Sequence, residues 1–312
     1  MNTNNNAAKF AFFYMLSLVA LIFMALSAGM IIFQIINKNI IDALEQFRGR
    51  YSPHQLKFAI SALIISAPIF YITMWQIYKN LFSGALGKDS GVRRWLTYLV
   101  LFVSSVVMIG WLIATVNSFL DGELTAKFIL KAITAISIAA TIFTFYLYDI
   151  KREQVAGKKD KVIQIYFYGS LAVVIAVFTA SLFFVESPTE TRNRKLDQRI
   201  LENFNDIDRA VNDYYYDKKK MPENLDELVS EFNYLTSKGI EDPLSKKKYE
   251  YKTTSDKKYE LCAVFRASNK DENEVKYNYY KEQWPHDDGY QCISQKVREK
   301  DKVMEPLLQV KD

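Results

Sequence analysis

Five long apolar runs, Phe10–Ile36, Phe58–Tyr78, Trp95–Leu120, Phe128–Tyr148 and Ile165–Val185, follow one another along the chain, and the pattern ends at Glu186. Each run has the roughly 20 apolar residues that a helix needs to cross a bilayer core. Five crossings put the two chain ends on opposite sides. After Glu186 the pattern changes to the amphipathic periods of a folded aqueous domain. Leu196, Ile200, Phe204, Ile207, Val211 and Tyr214 recur at helical spacing, which predicts one long helix to about Tyr216 with an apolar stripe. Thr189 and Thr191 are its candidate caps, and Arg194, Asp197, Asp208 and Lys218 are expected on its charged face. Met221–Pro222 restarts the chain into a short helix, Glu223–Phe232. Alternation then predicts strands at Tyr249–Thr254, Lys258–Ala267, Val275–Tyr280 and Gly289–Ser294, with a charged, frayed tail from Gln295.

The reading is a membrane α-helical protein with a small α+β domain attached. Its expected parts are a four-helix domain at 1–152, a basic inner loop with the fifth helix at 153–188, an α+β domain at 189–294 and a tail at 295–312. The first run is too long for a signal-peptide core and is read as a retained helix.

Charge separates the halves further. Residues 1–186 carry 16 Lys/Arg against 9 Asp/Glu, net +7, whereas residues 187–312 carry 24 against 26, net −2. The chain's basic balance therefore belongs to the membrane loops, and nucleic-acid binding is not indicated. Basic loops resist translocation. Arg93, Arg94, Lys151, Arg152, Lys158, Lys159 and Lys161, with Lys9, Lys79 and Lys88, fall on one side. Lys38, Arg48, Arg50, Lys57, Lys127 and Lys131 fall on the other. This bias predicts the N-terminus inside and the C-terminal domain outside. The only cysteines, Cys262 and Cys292, both lie after Glu186. A metal or redox pair is disfavoured by their spacing and by the presence of only two histidines, His54 and His286. An exported structural disulfide is expected instead, contributing about 3–4 kcal/mol by loop closure.

No Asp, Glu, His or Arg stands in the central part of any apolar run, which argues against a proton relay. Pro68 reads as an ordinary kink. A hydrated mid-membrane cavity lined by Ser66, Ser105, Asn117 and Ser137 would instead support a transporter or channel component. His286 with Asp287 and Asp288 invites a nucleophilic or metal site, but a packed turn is the preferred reading. The aromatic group Tyr277, Tyr279, Tyr280, Trp284 and Tyr290 is expected to fill the sheet core rather than bind peptide or glycan. Trp284, His286, Asp287, Asp288 and Tyr290 together form the candidate interaction loop. Phosphate-loop, dinucleotide, zinc-protease and nucleophile-elbow motifs do not occur.

Two resemblances add to this. The segments Ile32–Phe33–Gln34–Ile35–Ile36–Asn37–Lys38, Ser61–Ala62–Leu63–Ile64–Ile65, Arg94–Trp95–Leu96–Thr97–Tyr98, Asp121–Gly122–Glu123–Leu124 and Tyr146–Leu147–Tyr148–Asp149 resemble, in order and spacing, a bacterial four-helix membrane domain of unknown function. That resemblance implies a fold and no activity. Tyr214–Tyr215–Tyr216, Met221–Pro222, Leu225, Leu228, Asp242–Pro243 and Tyr249–Glu250–Tyr251 resemble the pseudopilin headpiece of type II secretion systems, over about 190–268. The headpiece implies a long helix across a small antiparallel sheet. It does not imply a filament, because pilin-like proteins place a glutamate just inside a single processed N-terminal helix. Here the preceding helix is the fifth, and Ile165–Leu171 contains no Glu. The expected function is a non-enzymatic bacterial membrane protein, without cofactor or metal, in contact with membrane lipid and with an envelope or surface protein through the exported domain. A transporter component and an envelope sensor signalling through the fifth helix are the alternatives.

Overall fold

The computed structural model describes residues 3–40, 51–84, 91–152, 157, 160–270 and 282–298. The chain divides into two compact units, Met1–Val185 and Glu186–Asp312.

The first unit is a bundle of α1 (Thr3–Asn39), α2 (Pro53–Phe82), α3 (Gly91–Leu120), α4 (Ala126–Lys151) and α5 (Lys161–Leu182). All five are long and apolar enough to cross a membrane, which makes this a membrane protein. Large side chains such as Phe102, Ile113, Phe119, Ile165 and Val173 are exposed on the bundle. Water would not tolerate so much contiguous apolar surface, whereas lipid is its natural solvent. The helices outrun the apolar patterns because their polar ends keep helical hydrogen bonds into the headgroup region. Their starts follow ordinary capping chemistry. Ser52 caps α2 through Gln55 N at 3.4 Å, with Pro53 just inside. Thr125 caps α4, and Asp160 caps α5. Gly122, at φ 71°, takes the left-handed conformation that ends α3. Pro68 lies inside α2 without interrupting it.

Two features hold α1 against its neighbours. Gln34 donates to Gln55 Oε1 at 2.7 Å and accepts from Ser52 N at 2.8 Å, satisfying its amide at the start of α2. Farther along, Phe33, Trp111 and Phe128 form a ring series linking α1, α3 and α4, with centroid distances of 5.7 and 6.1 Å.

The second unit contains α6 (Pro188–Lys218), α7 (Leu225–Glu231), a 3-10 turn (Ser237–Ile240) and a three-stranded antiparallel sheet ordered β1 (Glu250–Ser255), β2 (Lys258–Phe265), β3 (Gly289–Lys296). Ser187, rather than Thr189 or Thr191, caps α6, accepting from Glu190 N at 3.1 Å with Pro188 at the first turn. Asn224 caps α7. The expected strand at Val275–Tyr280 lies outside the described residues, as do Tyr277, Tyr279 and Tyr280. β3 runs beyond the expected Ser294, and Val297 is buried. The start of the supposed tail thus belongs to the fold.

Phe204 on α6 is the centre of the core. It meets Tyr249, Phe265 and Trp284 edge-on at centroid distances of 5.1, 6.1 and 5.2 Å, a favoured aromatic geometry. Ile200, Ile207 and Val211 from α6, Leu228 from α7 and Tyr259 and Leu261 from β2 complete the interior.

Candidate functional site

Alternation along β2 turns Tyr259, Leu261, Ala263 and Phe265 towards this core and sets Glu260, Cys262 and Val264 on the other face. Cys262 pairs directly across from Cys292, and β1 places Glu250 on its other side. The two cysteines are disulfide-bonded, with Cα atoms 4.0 Å apart. The bond therefore sits on the outward face of the sheet. Val264 and Tyr290 are more than half exposed beside it. Polar contacts surround them: the Tyr290 hydroxyl donates to Glu250, Ser294 donates to Glu260 at 2.8 Å, and Lys252 pairs with Glu250 at 2.9 Å.

The candidate interaction loop splits under this geometry. Trp284 is fully buried, and its indole N–H donates to Asn205 Oδ1 at 3.0 Å. His286 is also interior, stacked on Phe265 at 3.8 Å and held by Asn269, which accepts from His286 N at 2.9 Å. Burial lowers the His286 pKa despite the Trp284 carbonyl and the carboxylates of Asp197 and Asp287. Neither residue can touch a partner, so the expectation of a continuous interaction loop is corrected. Asp287, Asp288 and Tyr290 remain accessible. Asp287 is held below the usual carboxylate range by Lys270, 2.5 Å away.

Sequence periodicity also misplaced two acids. Asp197 and Asp208 are buried on the inner side of α6, not on its charged face. Asp197 accepts from the backbone N–H groups of Arg266 and Ala267 at 2.9 and 2.8 Å. Burial nevertheless raises its pKa. Arg266 also makes a two-pronged contact with Asp242 at 3.0 Å. Burial works against the Asp242 anion, but the N–H groups of Ser245 and Leu244 and the Arg266 guanidinium hold its pKa low. Asp208 accepts from Tyr259 at 2.5 Å, Arg298 at 2.9 Å, Asn212 at 3.1 Å and Gln283 at 3.2 Å. The Asp208 network joins α6, β2 and the segments on either side of β3. It fixes the tertiary fold and offers no open catalytic position. Among the described residues, no group of three or more His, Cys, Asp or Glu is placed to hold a metal.

The bundle contains its own buried charges. Arg93 at the start of α3 reaches Asp149 at 2.7 Å and its carbonyl at 3.0 Å. Arg152 contacts the other oxygen of Asp149 at 2.8 Å and lies 3.7 Å from Asp160. Tyr78 donates to Asp149 at 3.3 Å, and Tyr148 to Asp160 at 2.9 Å. The side chains of Arg93, Asp149 and Arg152 are at most 8% exposed. The basic residues expected to set topology are thus of two kinds. Arg93 and Arg152 tie helix ends together, whereas Arg94, Lys151 and Lys161 are exposed. Lys158 and Lys159 lie outside the described residues.

Next to this cluster is a cavity of about 80 Å³, open on one side and bounded by α1, α2, α4 and α5. Its lining is apolar apart from a few hydroxyls. None of Ser66, Ser105, Asn117 and Ser137 lines it. Asn117 is exposed and bonded to Asp121 at 2.9 Å, as expected of a group closing a helix end.

Residues 11–146 match the family model of a domain of unknown function, DUF5671. The match covers the bundle from α1 into α4 and bears out the expected resemblance to a domain of unknown function. It ends short of Asp149, so Arg93 lies within it and the acid that neutralises Arg93 lies just beyond. No curated protein and no solved structure matches the chain.

Proposed function

We propose that this protein is a non-enzymatic component of the bacterial envelope, crossing the cytoplasmic membrane five times and presenting its C-terminal unit outside. That unit, built like a pseudopilin headpiece, contacts another envelope or surface protein. The observation that carries the reading is the outward face of its sheet, where Val264, Tyr290 and the exposed Cys292 end of the disulfide form a small apolar centre within a polar border. Protein interfaces have this anatomy. The orientation is supported by the excess of basic residues on one side and by a disulfide that calls for an oxidising compartment.

Photo-cross-linking in intact cells tests the partner. A benzoylphenylalanine at position 264 or 290 should capture a discrete protein, and one at the exposed Arg199 position should not. Equal capture at all three positions, or none at 264 and 290, defeats the reading. Reporter fusions at the two chain ends test orientation: alkaline phosphatase should be active only at the C-terminus.

A further inference from the structure

We propose that the cavity in the bundle holds a stretch of one acyl chain of an anionic phospholipid, with the lipid phosphate resting on Lys151 and Lys161. Leu21 and Met24 of α1 and Phe70 and Met74 of α2 form part of the lining, with Phe145 of α4 and Phe167 of α5 opposite. Thr141, the exposed residue of the lining, marks the mouth. Several of the hydroxyls there are already engaged: Tyr71 donates to Ser170 at 3.1 Å and Thr141 to the Ser137 carbonyl at 2.8 Å. Water entering such a space would find few partners.

The size suits a chain segment. An apolar cavity of about 150 Å³ takes a benzene molecule, and the present one is about half that volume. A whole lipid does not fit, but a few methylenes entering sideways do. In a bilayer, hydrocarbon is the medium at the mouth.

Charge selects the headgroup. α4 ends and α5 begins beside the cavity, at the same end as the ion cluster. Among the described residues, Asp149 and Asp160 are matched by Arg93 and Arg152. Lys151 and Lys161, at the ends of the two helices, are exposed and have no acidic partner among the described residues. A phosphate at headgroup depth supplies the missing charge, and paired juxtamembrane lysines favour anionic over zwitterionic lipid.

The full-length protein, reconstituted into nanodiscs with phosphatidylcholine in excess over phosphatidylglycerol, provides the test by native mass spectrometry. The wild-type protein should retain phosphatidylglycerol over phosphatidylcholine by roughly thirtyfold, the scale set by two lysines near a membrane surface. Lys151→Ala with Lys161→Ala should abolish the preference and leave retention of either lipid. Ser170→Phe, which fills the cavity, and Thr141→Phe, which closes its mouth from an exposed position, should each lose bound lipid with helicity unchanged by circular dichroism. The proposal is overturned if the wild type retains no lipid or both lipids alike. It is also overturned if a folded Thr141→Phe protein keeps phosphatidylglycerol undiminished.

Discussion

Asp149 in the bundle and Asp208 in the α+β unit are both buried carboxylates, and the two units neutralise them differently. Asp149 takes two nearly inaccessible guanidinium groups, Arg93 and Arg152. Asp208 takes a phenol, two amides and one guanidinium, that of Arg298, whose side chain is 56% exposed. The contrast follows the surroundings. Next to a bilayer a carboxylate has little water to fall back on, and full counter-charge is the strongest remaining compensation. In the α+β unit, dipoles and a guanidinium that still touches solvent suffice, as hydrogen bonds to the charged form stabilise it.

Breaking the pairs should expose that difference. Asp149→Ala takes the 2.7 Å carboxylate from buried Arg93 and leaves Arg152 with Asp160 at 3.7 Å, and removing one partner of a buried pair costs about 3–5 kcal/mol. Thermal unfolding in detergent should show the membrane unit failing while the α+β unit keeps its own transition. Phe204→Ala empties the aromatic core of the second unit, with an expected loss of about 3–5 kcal/mol. Its unfolding midpoint should fall while the bundle is unaffected. Reducing the Cys262–Cys292 bond should cost about 2–4 kcal/mol, read as the difference between unfolding curves with and without dithiothreitol.

A pH response is expected in the second unit. Burial holds His286 neutral in the folded state, below its ordinary value of 6.5. The unfolded chain therefore binds the proton first, and stability is full above that value and declines as pH falls towards the folded pKa. His286→Asn should flatten this slope, which chemical unfolding at a series of pH values measures. At the bottom of the scale, Lys270→Ala removes an ion pair whose two side chains are each 49% exposed. It should change stability by less than about 1 kcal/mol, and a larger effect would mean the Asp287 loop is more constrained than its exposure suggests.

The five membrane helices were legible because bilayer thickness imposes a length that few other structures share. α6 and the β1–β2 hairpin were legible because their periods differ. The misplaced acids show where pattern reading stops. Asp197, Leu201, Phe204, Asp208 and Val211 are themselves spaced as one helical stripe, so the signal was present. An Asp within a stripe is ordinarily assigned outward, since the tyrosine, amide and arginine that satisfy it come from distant segments. Arg93 and Asp149 were hidden for the same reason: each reads alone as a helix-end charge, and only tertiary packing joins them. Trp284 and His286 are buried, in line with the preferred core and packed-turn readings, whereas Tyr290, expected in the core with Trp284, is exposed, because aromatic character alone does not tell which face of a strand a residue takes.

The cross-strand position of the disulfide has a mechanical side. Among the described residues β3 is an edge strand, and such a strand unzips one residue pair at a time when its end is pulled. A pull on the tail would free Lys296, Gln295, Ser294 and Ile293 from β2 in turn. At Cys292 it would meet a covalent link, and the load would pass into β2 at Cys262. Tension arriving from that end is thereby kept from tearing β3 away from the centre of the sheet.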